Sequence, residues 1–518
     1  MTRTGDAAVA ARLYPPMPSS RWRGWIGPLV VTAIAAIIRL VNLGRPNAVV
    51  FDETYYPKDA WALLRFGVEH KAVENHKDLM LAAGDNWRTV EAFTNEGSFV
   101  VHPPFGKWTI AAGEYLFGVS PFGWRIAVAV LGVLTVLLVA RIVRRLTRSD
   151  LIGSLAGLLL ALDGIHIVMS RTGLLDGILT FWVVVAFGLL VLDRDRTRAR
   201  LAGFVMMFGV DAAATRWGPP LGLRPLRLAA AVALGLACSV KWSGLWFLAL
   251  FALMTVVWDV SARRTVGVPR PWTATLLRDA PVAALTMLPI AIVVYLLSWT
   301  GWLMSDNGWG RQWADEHPDS IIPAGLRSLW NYHDEAWNFH VNLDTEHSYS
   351  SNPMSWPLMA RPTSFFYEGG DDITTGCAVE KCSAQVTALG NPIIWWAALL
   401  ALPYQLWRWA ARRDWRSGAV LVGVLAGWGP WLIYLDRTIF TFYTVVYAPF
   451  VMMAVAMTLG DVLGPRDASV RRRRIGIAVV TTFLLLVIAA AWWFYPIWTA
   501  QVIPYEQWRL RMWFPSWV

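Results

Sequence analysis

The apolar residues of this 518-residue chain come in blocks, and the blocks are too long for the core of a water-soluble domain. Leu151–Val168, Leu174–Leu192, Pro281–Trp299 and Ile475–Phe494 are each apolar on every helical face. About 18–20 such residues cross a bilayer, where a helix satisfies its own backbone. The chain is therefore read as an all-α polytopic membrane protein. Segments suited to spans lie at about 26–43, 122–140, 151–168, 174–192, 226–240, 243–260, 280–302, 391–410, 417–434, 438–460 and 475–498, eleven in all. The arginine-bearing N-terminal arm precedes an apolar stretch without a small-residue cleavage site, so the first span is read as uncleaved.

Charge then orients the spans. The formal charge of +10 is spread over short connections. Arginines crowd 141–148, 194–200, 263–278, 408–416 and 471–474. All fall on one side, which the positive-inside rule makes cytoplasmic. Counting 201–215 as a crossing would break this pattern, so it is expected to be re-entrant or interfacial. The expected organisation is a cytoplasmic arm at 1–25 and a membrane region at 26–302 holding a first outer loop at 44–121. A large outer loop at 303–390, helices at 391–498 and an outer tail at 499–518 follow. The C-terminus is expected outside the cell. Basic residues parcelled out this way argue against nucleic-acid binding, and many of the 32 tryptophans belong at membrane interfaces. Cys377 and Cys382 share an outer loop and are read either as a disulfide or as two free thiols.

The outer face collects the chemistry. Asp52-Glu53 follows the first span, and His102-Pro-Pro-Phe-Gly-Lys107 lies further along the same loop. Arg171, Lys241 and Arg437 are single cations in short outer turns, against the general bias, and Asp176 follows Arg171. An isolated cation in such a place often has an anionic partner. The large loop adds His347, Trp356 and Arg361, and Tyr443 stands in an aromatic stretch after Arg437. A carboxylate can take a proton from a nucleophile. Fixed cations can take the charge of a leaving phosphate. Aromatic helix ends suit an isoprenoid chain. Asp52 is expected to be the base, Glu53 to orient substrate or exchange roles with it, and Arg171, Lys241, His347, Arg361, Arg437 and Tyr443 to hold a donor. His102, Lys107, Asp176 and Trp356 are assigned to the site's architecture. An Arg171–Asp176 pair is an open alternative, as is snorkelling by Lys107 and Lys241.

His333, His340 and His347 recur every seven residues, a spacing unlike the three or four of helical ligand pairs, so no metal site is expected there. Asp371-Asp372 reads as a solvated turn.

The Asp-Glu pair, His-Pro-Pro-Phe-Gly-Lys at 102–107 and Trp-Pro-Leu-Met-Ala-Arg-Pro at 356–362 resemble the protein O-mannosyltransferases over most of the chain. The resemblance implies a GT-C glycosyltransferase fold with about eleven transmembrane helices and two extracytoplasmic loop regions. It implies inverting, metal-independent transfer of mannose from polyprenyl-phosphate mannose to Ser or Thr of exported proteins, with no further cofactor. Partners implied by the resemblance are that donor, membrane lipids and acceptor polypeptides, with the protein translocation machinery as a route of delivery. The loop at 303–390 is too short for the β-trefoil of fungal and animal members. Arg, Ala and Trp richness fits an actinobacterial form in a bacterial plasma membrane. Rival readings are a GT-C enzyme acting on a lipid or glycan, a metal-dependent transferase, and a transporter; charges at mid-membrane and internal repeats, which a transporter would favour, are not evident.

Overall fold

A computed structural model describes residues 3–17, 22–318, 320–370, 376–377, 379–465 and 467–518. The Asp371-Asp372 turn lies outside them. Each of the eleven expected segments contains a helix. Six are long and apolar enough to cross a bilayer: Arg23–Leu40, Pro121–Thr147, Leu175–Phe208, Gly244–Thr265, Pro271–Ser298 and Val470–Trp498. Asp150–Ala161 and Gly164–Ser170 together make a seventh, bent by 64°. Pro225–Val240 and Ala448–Leu463 are apolar but shorter. The count by this measure is thus lower than eleven.

The bend has a local cause. Asp163 caps the second half-helix, accepting from the His166 amide at 3.1 Å. The same carboxylate accepts from the Asn391 amide at 3.1 Å and from the Trp395 indole at 2.8 Å. A capping carboxylate ends one helix and starts another, and here the cap is also tied to a distant helix. A Cβ on Gly164 would meet the Leu389 carbonyl at 2.2 Å, so only glycine lets the two backbones approach.

Two expectations change. The connection at 194–200 and the first part of the element at 201–215, through Phe208, continue the fourth span, and only the short helix Val210–Ala213 is separate. Leu175–Phe208 is one helix of 34 residues, roughly 50 Å long and well beyond bilayer thickness, ended by Gly209 at φ +83°. Its far end packs with helix Arg3–Leu13 in a small apolar cluster that includes Leu13, Leu201, Val205 and Val266. Second, 438–447 is not helical throughout. A 3-10 turn occupies Thr441–Val446, and the helix begins at Ala448 because Pro449 sets its first turn.

The two loop regions are not purely irregular. Thr363–Gly370, Cys382–Ala388 and Ile503–Pro504 form a three-stranded antiparallel sheet, and His70–Ala72 pairs with Phe93–Gly97. Cys377 and Cys382 are bridged at the end of the first hairpin. The arginine-rich end is knitted by ion pairs. Arg145 and Arg148 hold Asp195, Arg224 holds Asp193 and Asp259, and Arg263 holds Asp279.

Candidate active site

Asp52 stands in a 3-10 turn, Phe51–Thr54, just past the first membrane helix. Glu53 fixes that turn. One of its oxygens accepts from the Arg125 Nε at 2.7 Å and from the Gly173 amide at 2.8 Å. The other accepts from the Val50 amide at 3.1 Å and from Arg125 Nη2 at 2.8 Å. Both side chains of the pair are fully buried. Removing one partner of such a pair costs about 3–5 kcal/mol, because the other charge is left unpaired. Phe51 has φ +46°, a conformation that costs an aromatic residue energy and is retained where surroundings impose it. Its ring stacks on Phe365 at 4.7 Å and meets His347 edge-on at 6.3 Å. The turn that carries Asp52 is therefore pinned from both sides.

The neighbours of Asp52 tune it. Asp52 accepts a hydrogen bond from Tyr56 and lies in the field of Lys241 and Asp176. Withdrawal from water raises its pKa to about 6; Lys241 and Tyr56 oppose the rise and Asp176 adds to it. A carboxylate so tuned is ionised near neutral pH yet basic enough to take a proton.

Lys241 and Asp176, which act on this carboxylate, also line a cavity of about 860 Å³. Its polar head is lined by Asp176, Lys241, His102, His340, Arg437 and Tyr443. Lys241 Nζ donates to both Asp176 oxygens, at 3.0 and 2.9 Å, and stands 5.2 Å from the Tyr443 ring centre. Its third N–H is left for a ligand. Arg437 donates to His340 Nδ1 at 3.2 Å, and its buried Nε has no partner among the described residues. His102 lies against His340 at 5.2 Å and against Tyr56 at 6.0 Å. Burial and the surrounding cations hold the His102 imidazole well below its ordinary pKa, and burial and Arg437 push His340 down to about 4. Both rings are neutral at pH 7. Away from this head the walls are apolar, with Trp246, Phe247, Ala291 and Val446 among them.

A second, polar cleft of about 550 Å³ shares Arg437 with the first. Asp344, Glu346, His347, Ser348, Asp436 and Thr438 contribute to its walls. The loop that forms it is zipped to the 438–439 backbone, with Thr438 N donating to the Leu343 carbonyl at 3.1 Å and Ser351 N to the Ile439 carbonyl at 2.9 Å. Through the Phe51–His347 contact this cleft reaches the turn that carries Asp52. The site thus offers one mostly apolar chamber and one polar cleft, which meet at Arg437.

Of the residues expected from sequence, the structure gathers Asp52, Lys241, Arg437, Tyr443, His102 and Asp176. Others take different places. Glu53 has all its oxygens committed and holds the turn. Arg171 does not face the cavity; it donates to the carbonyls of Ile38, Arg39, Val41 and Asn42, capping the first membrane helix at its carbonyl end. Asp176 is accordingly paired with Lys241 and not with Arg171. Arg361 donates to the carbonyls of Ser348, Ser516 and Val518 and so clamps the C-terminal segment. His347 lines the polar cleft and not the apolar-walled cavity. Trp356 is buried, its indole donating to Ser351, and supports the wall from behind. Lys107 is buried in an ion pair with Glu69 and donates to the His102 carbonyl at 3.0 Å. It fixes the Pro-Pro turn that presents His102 and does not snorkel.

Tyr56 and His340 were not expected in the site. Tyr56 follows Asp52 by four residues, in Asp52-Glu53-Thr54-Tyr55-Tyr56, and that spacing was a signal for contact. His340 offered none beyond its place in the loop, because its role depends on a helix packing over Arg437. His333 bonds the Tyr295 hydroxyl at 2.6 Å. Among the described residues no group of three or more His, Cys, Asp or Glu side chains could hold a metal ion.

Known proteins share this arrangement of elements. Residues 29–215 match the family described as dolichyl-phosphate-mannose-protein mannosyltransferase, and 325–517 match the C-terminal four-transmembrane region of protein O-mannosyltransferases. A polyprenol-phosphate-mannose–protein mannosyltransferase of Mycolicibacterium smegmatis is 41% identical over 96% of this chain and 94% of its own. One from Corynebacterium glutamicum is 32% identical over 99% of this chain and 98% of its own. The Saccharomyces cerevisiae protein O-mannosyltransferase Pmt1–Pmt2 complex bound to the sugar donor superposes with a TM-score of 0.70 at 15% identity, covering 99% of this chain and 94% of that one, a likeness of fold.

Proposed function

This chain belongs to the protein O-mannosyltransferase family, and from that premise we propose how its site works. It is a membrane-embedded glycosyltransferase that takes mannose from polyprenyl-phosphate mannose and gives it to protein. The acceptors are Ser or Thr hydroxyls of exported polypeptides, some arriving from the translocation machinery, on the extracytoplasmic side of a bacterial plasma membrane.

The observation that carries the reading is Asp52, withdrawn from water with its pKa raised to about 6. It stands in the field of Lys241 and Asp176, which line the head of the apolar cavity, and is next in sequence to Phe51, whose ring meets His347 of the polar cleft. The isoprenoid lies along the apolar walls and its phosphate at the polar head. The acceptor chain lies in the cleft lined by His347 and Asp436. Asp52 removes the hydroxyl proton as the oxygen attacks the anomeric carbon. The bond from that carbon to the phosphate oxygen breaks, the configuration inverts, and the proton ends on Asp52. Arg437 is the cation at the head that forms no ion pair among the described residues, so it takes most of the leaving phosphate's charge. Lys241 adds one N–H while Asp176 holds it in place. Preorganised donors of this kind are worth about 10²–10³ in rate each. Neutral His102 and His340 can donate or accept at the sugar. No step calls on a metal.

The test is purified enzyme in lipid with polyprenyl-phosphate mannose, a Ser/Thr peptide and, separately, a lipid or glycan acceptor. Mannosyl peptide formed in the presence of EDTA is the expected result. Transfer to the lipid or glycan alone would move the enzyme to another GT-C activity, and loss of turnover in EDTA would defeat the metal-free step.

A further inference from the structure

Helix Ala324–Val341 belongs to a loop region, yet its surface is not that of a solvated helix. One sector is buried: Leu329 and Tyr332 pack with Trp299 and Trp302 at the end of the Pro271–Ser298 helix. A second sector carries Leu326, Trp330, Trp337 and Val341, which are 40, 80, 52 and 48% exposed. Steps of four, seven and four put these on one stripe. Arg327, Asn331, Asp334 and Asn338 make a polar stripe beside it. A packed face, an aromatic stripe and a polar stripe are what a helix in a membrane interface presents.

The aromatic stripe runs into the cavity. Trp337 and Val341 line it, as do Leu245, Trp246 and Ile292, which are 52, 41 and 57% exposed. A residue that both lines a cavity and stands half exposed marks its mouth. Leu245 and Trp246 lie on Gly244–Thr265 and Ile292 on Pro271–Ser298, two helices of membrane-spanning length and composition. The mouth therefore opens sideways between them. The stripe is continuous with their bare apolar surface, of which Pro271–Ser298 buries only 17% of its most apolar stretch.

We propose that helix Ala324–Val341 lies in the membrane interface, seated by Trp330 and Trp337, and forms the lip of a lateral portal through which the donor's isoprenoid tail passes into the bilayer. This deepens, and rests on, the assignment of the cavity to the donor. The occupant of the stripe is lipid because Trp337 and Val341 share the cavity mouth with Leu245, Trp246 and Ile292 of the membrane helices. It follows that seating of the helix matters to a donor long enough to thread the portal and not to one whose tail ends inside the cavity.

Two measurements on the full chain in phosphatidylglycerol–phosphatidylethanolamine nanodiscs test this. A nitroxide on Trp330→Cys should meet oxygen more than a water-soluble nickel chelate, and one on Asp334→Cys the reverse. Equal chelate access at both positions, or exclusion of both probes from position 330 as by a protein partner, would overturn the seating. In the second, Trp330→Asp should raise KM about tenfold for a long polyprenyl-phosphate mannose and less than about twofold for a two-isoprene, water-soluble analogue, with Trp330→Phe restoring the former. Equal changes for both donors would overturn the portal. If the unaltered enzyme transfers mannose from neither donor, the assigned reaction has failed, and the depth measurement alone still decides where the helix lies.

Discussion

Helix Leu175–Phe208 carries aspartates at both ends of the membrane, and the protein uses the two ends differently. Asp176 lies at the cavity, and Asp193 and Asp195 lie about 25 Å further along. At the far end, carboxylates and guanidiniums meet in numbers, Asp193 and Asp259 both on Arg224, and Asp195 between Arg145 and Arg148. At the near end, charges are sparse and matching is incomplete. Lys241 is paired with Asp176, but among the described residues Arg437 meets the His340 imidazole and the Trp431 ring and forms no ion pair, and Asp52 meets the Tyr56 phenol. The same residue types act as mortar where they are paired and as chemical tools where one is left short. A desolvated charge without its counterpart costs stability, and such cost is characteristic of functional sites.

The strongest way to break this contrast is at Asp52. Asp52→Asn should cut turnover by roughly 10²–10⁴ while the protein stays folded, since the amide removes a desolvated charge. Wild-type kcat in a monodisperse variant would exclude it as the base. Next is Arg437→Gln, which should lower kcat/KM for the donor about 10²-fold and leave peptide KM within about twofold. The reverse pattern would take Arg437 out of the phosphate site. In pH profiles, an acid pulled up to about 6 is half ionised there, so base catalysis should fail as pH drops through that value. kcat/KM should fall about tenfold per unit on the acid side, and a profile flat down to pH 4.5 would count against the tuning.

The far end should answer in stability instead. Arg224→Ala leaves Asp193 without its ion-pair partner and Asp259 with Arg227 alone, and should cost about 3–5 kcal/mol in unfolding free energy, with donor KM unchanged in the folded fraction. A donor effect without destabilisation would erase the difference between the two ends. The smallest effect belongs to the Cys377–Cys382 bridge, which closes a short loop. Cys377→Ser with Cys382→Ser should cost about 2 kcal/mol or less and spare activity, as thermal unfolding with and without the bridge will report.

Much of this was legible in the chain. Apolar blocks declare membrane helices because hydrocarbon accepts little else. Asp52, Lys241 and Arg437 were legible because unmatched charges at the ends of such helices need a reason. The residues that sequence misplaced, Arg171, Arg361 and Glu53, share one property. Each spends its hydrogen bonds on backbone or on a buried partner from a distant element, and pairing of that kind leaves no local pattern. The same holds for the unbroken run of Leu175–Phe208 through its arginines, since Asp193 and Asp195 are compensated by Arg224, Arg145 and Arg148 brought from elsewhere.

Local composition therefore determined that this is a many-helix membrane protein with its reactive groups gathered at the ends of helices, since solvation acts on each segment separately. Which carboxylate is left desolvated, which cation is left unmatched, and where the cavity opens toward lipid were decided only by the tertiary structure. Those properties depend on distances between side chains hundreds of residues apart, and electrostatic and packing energies follow those distances rather than order along the chain.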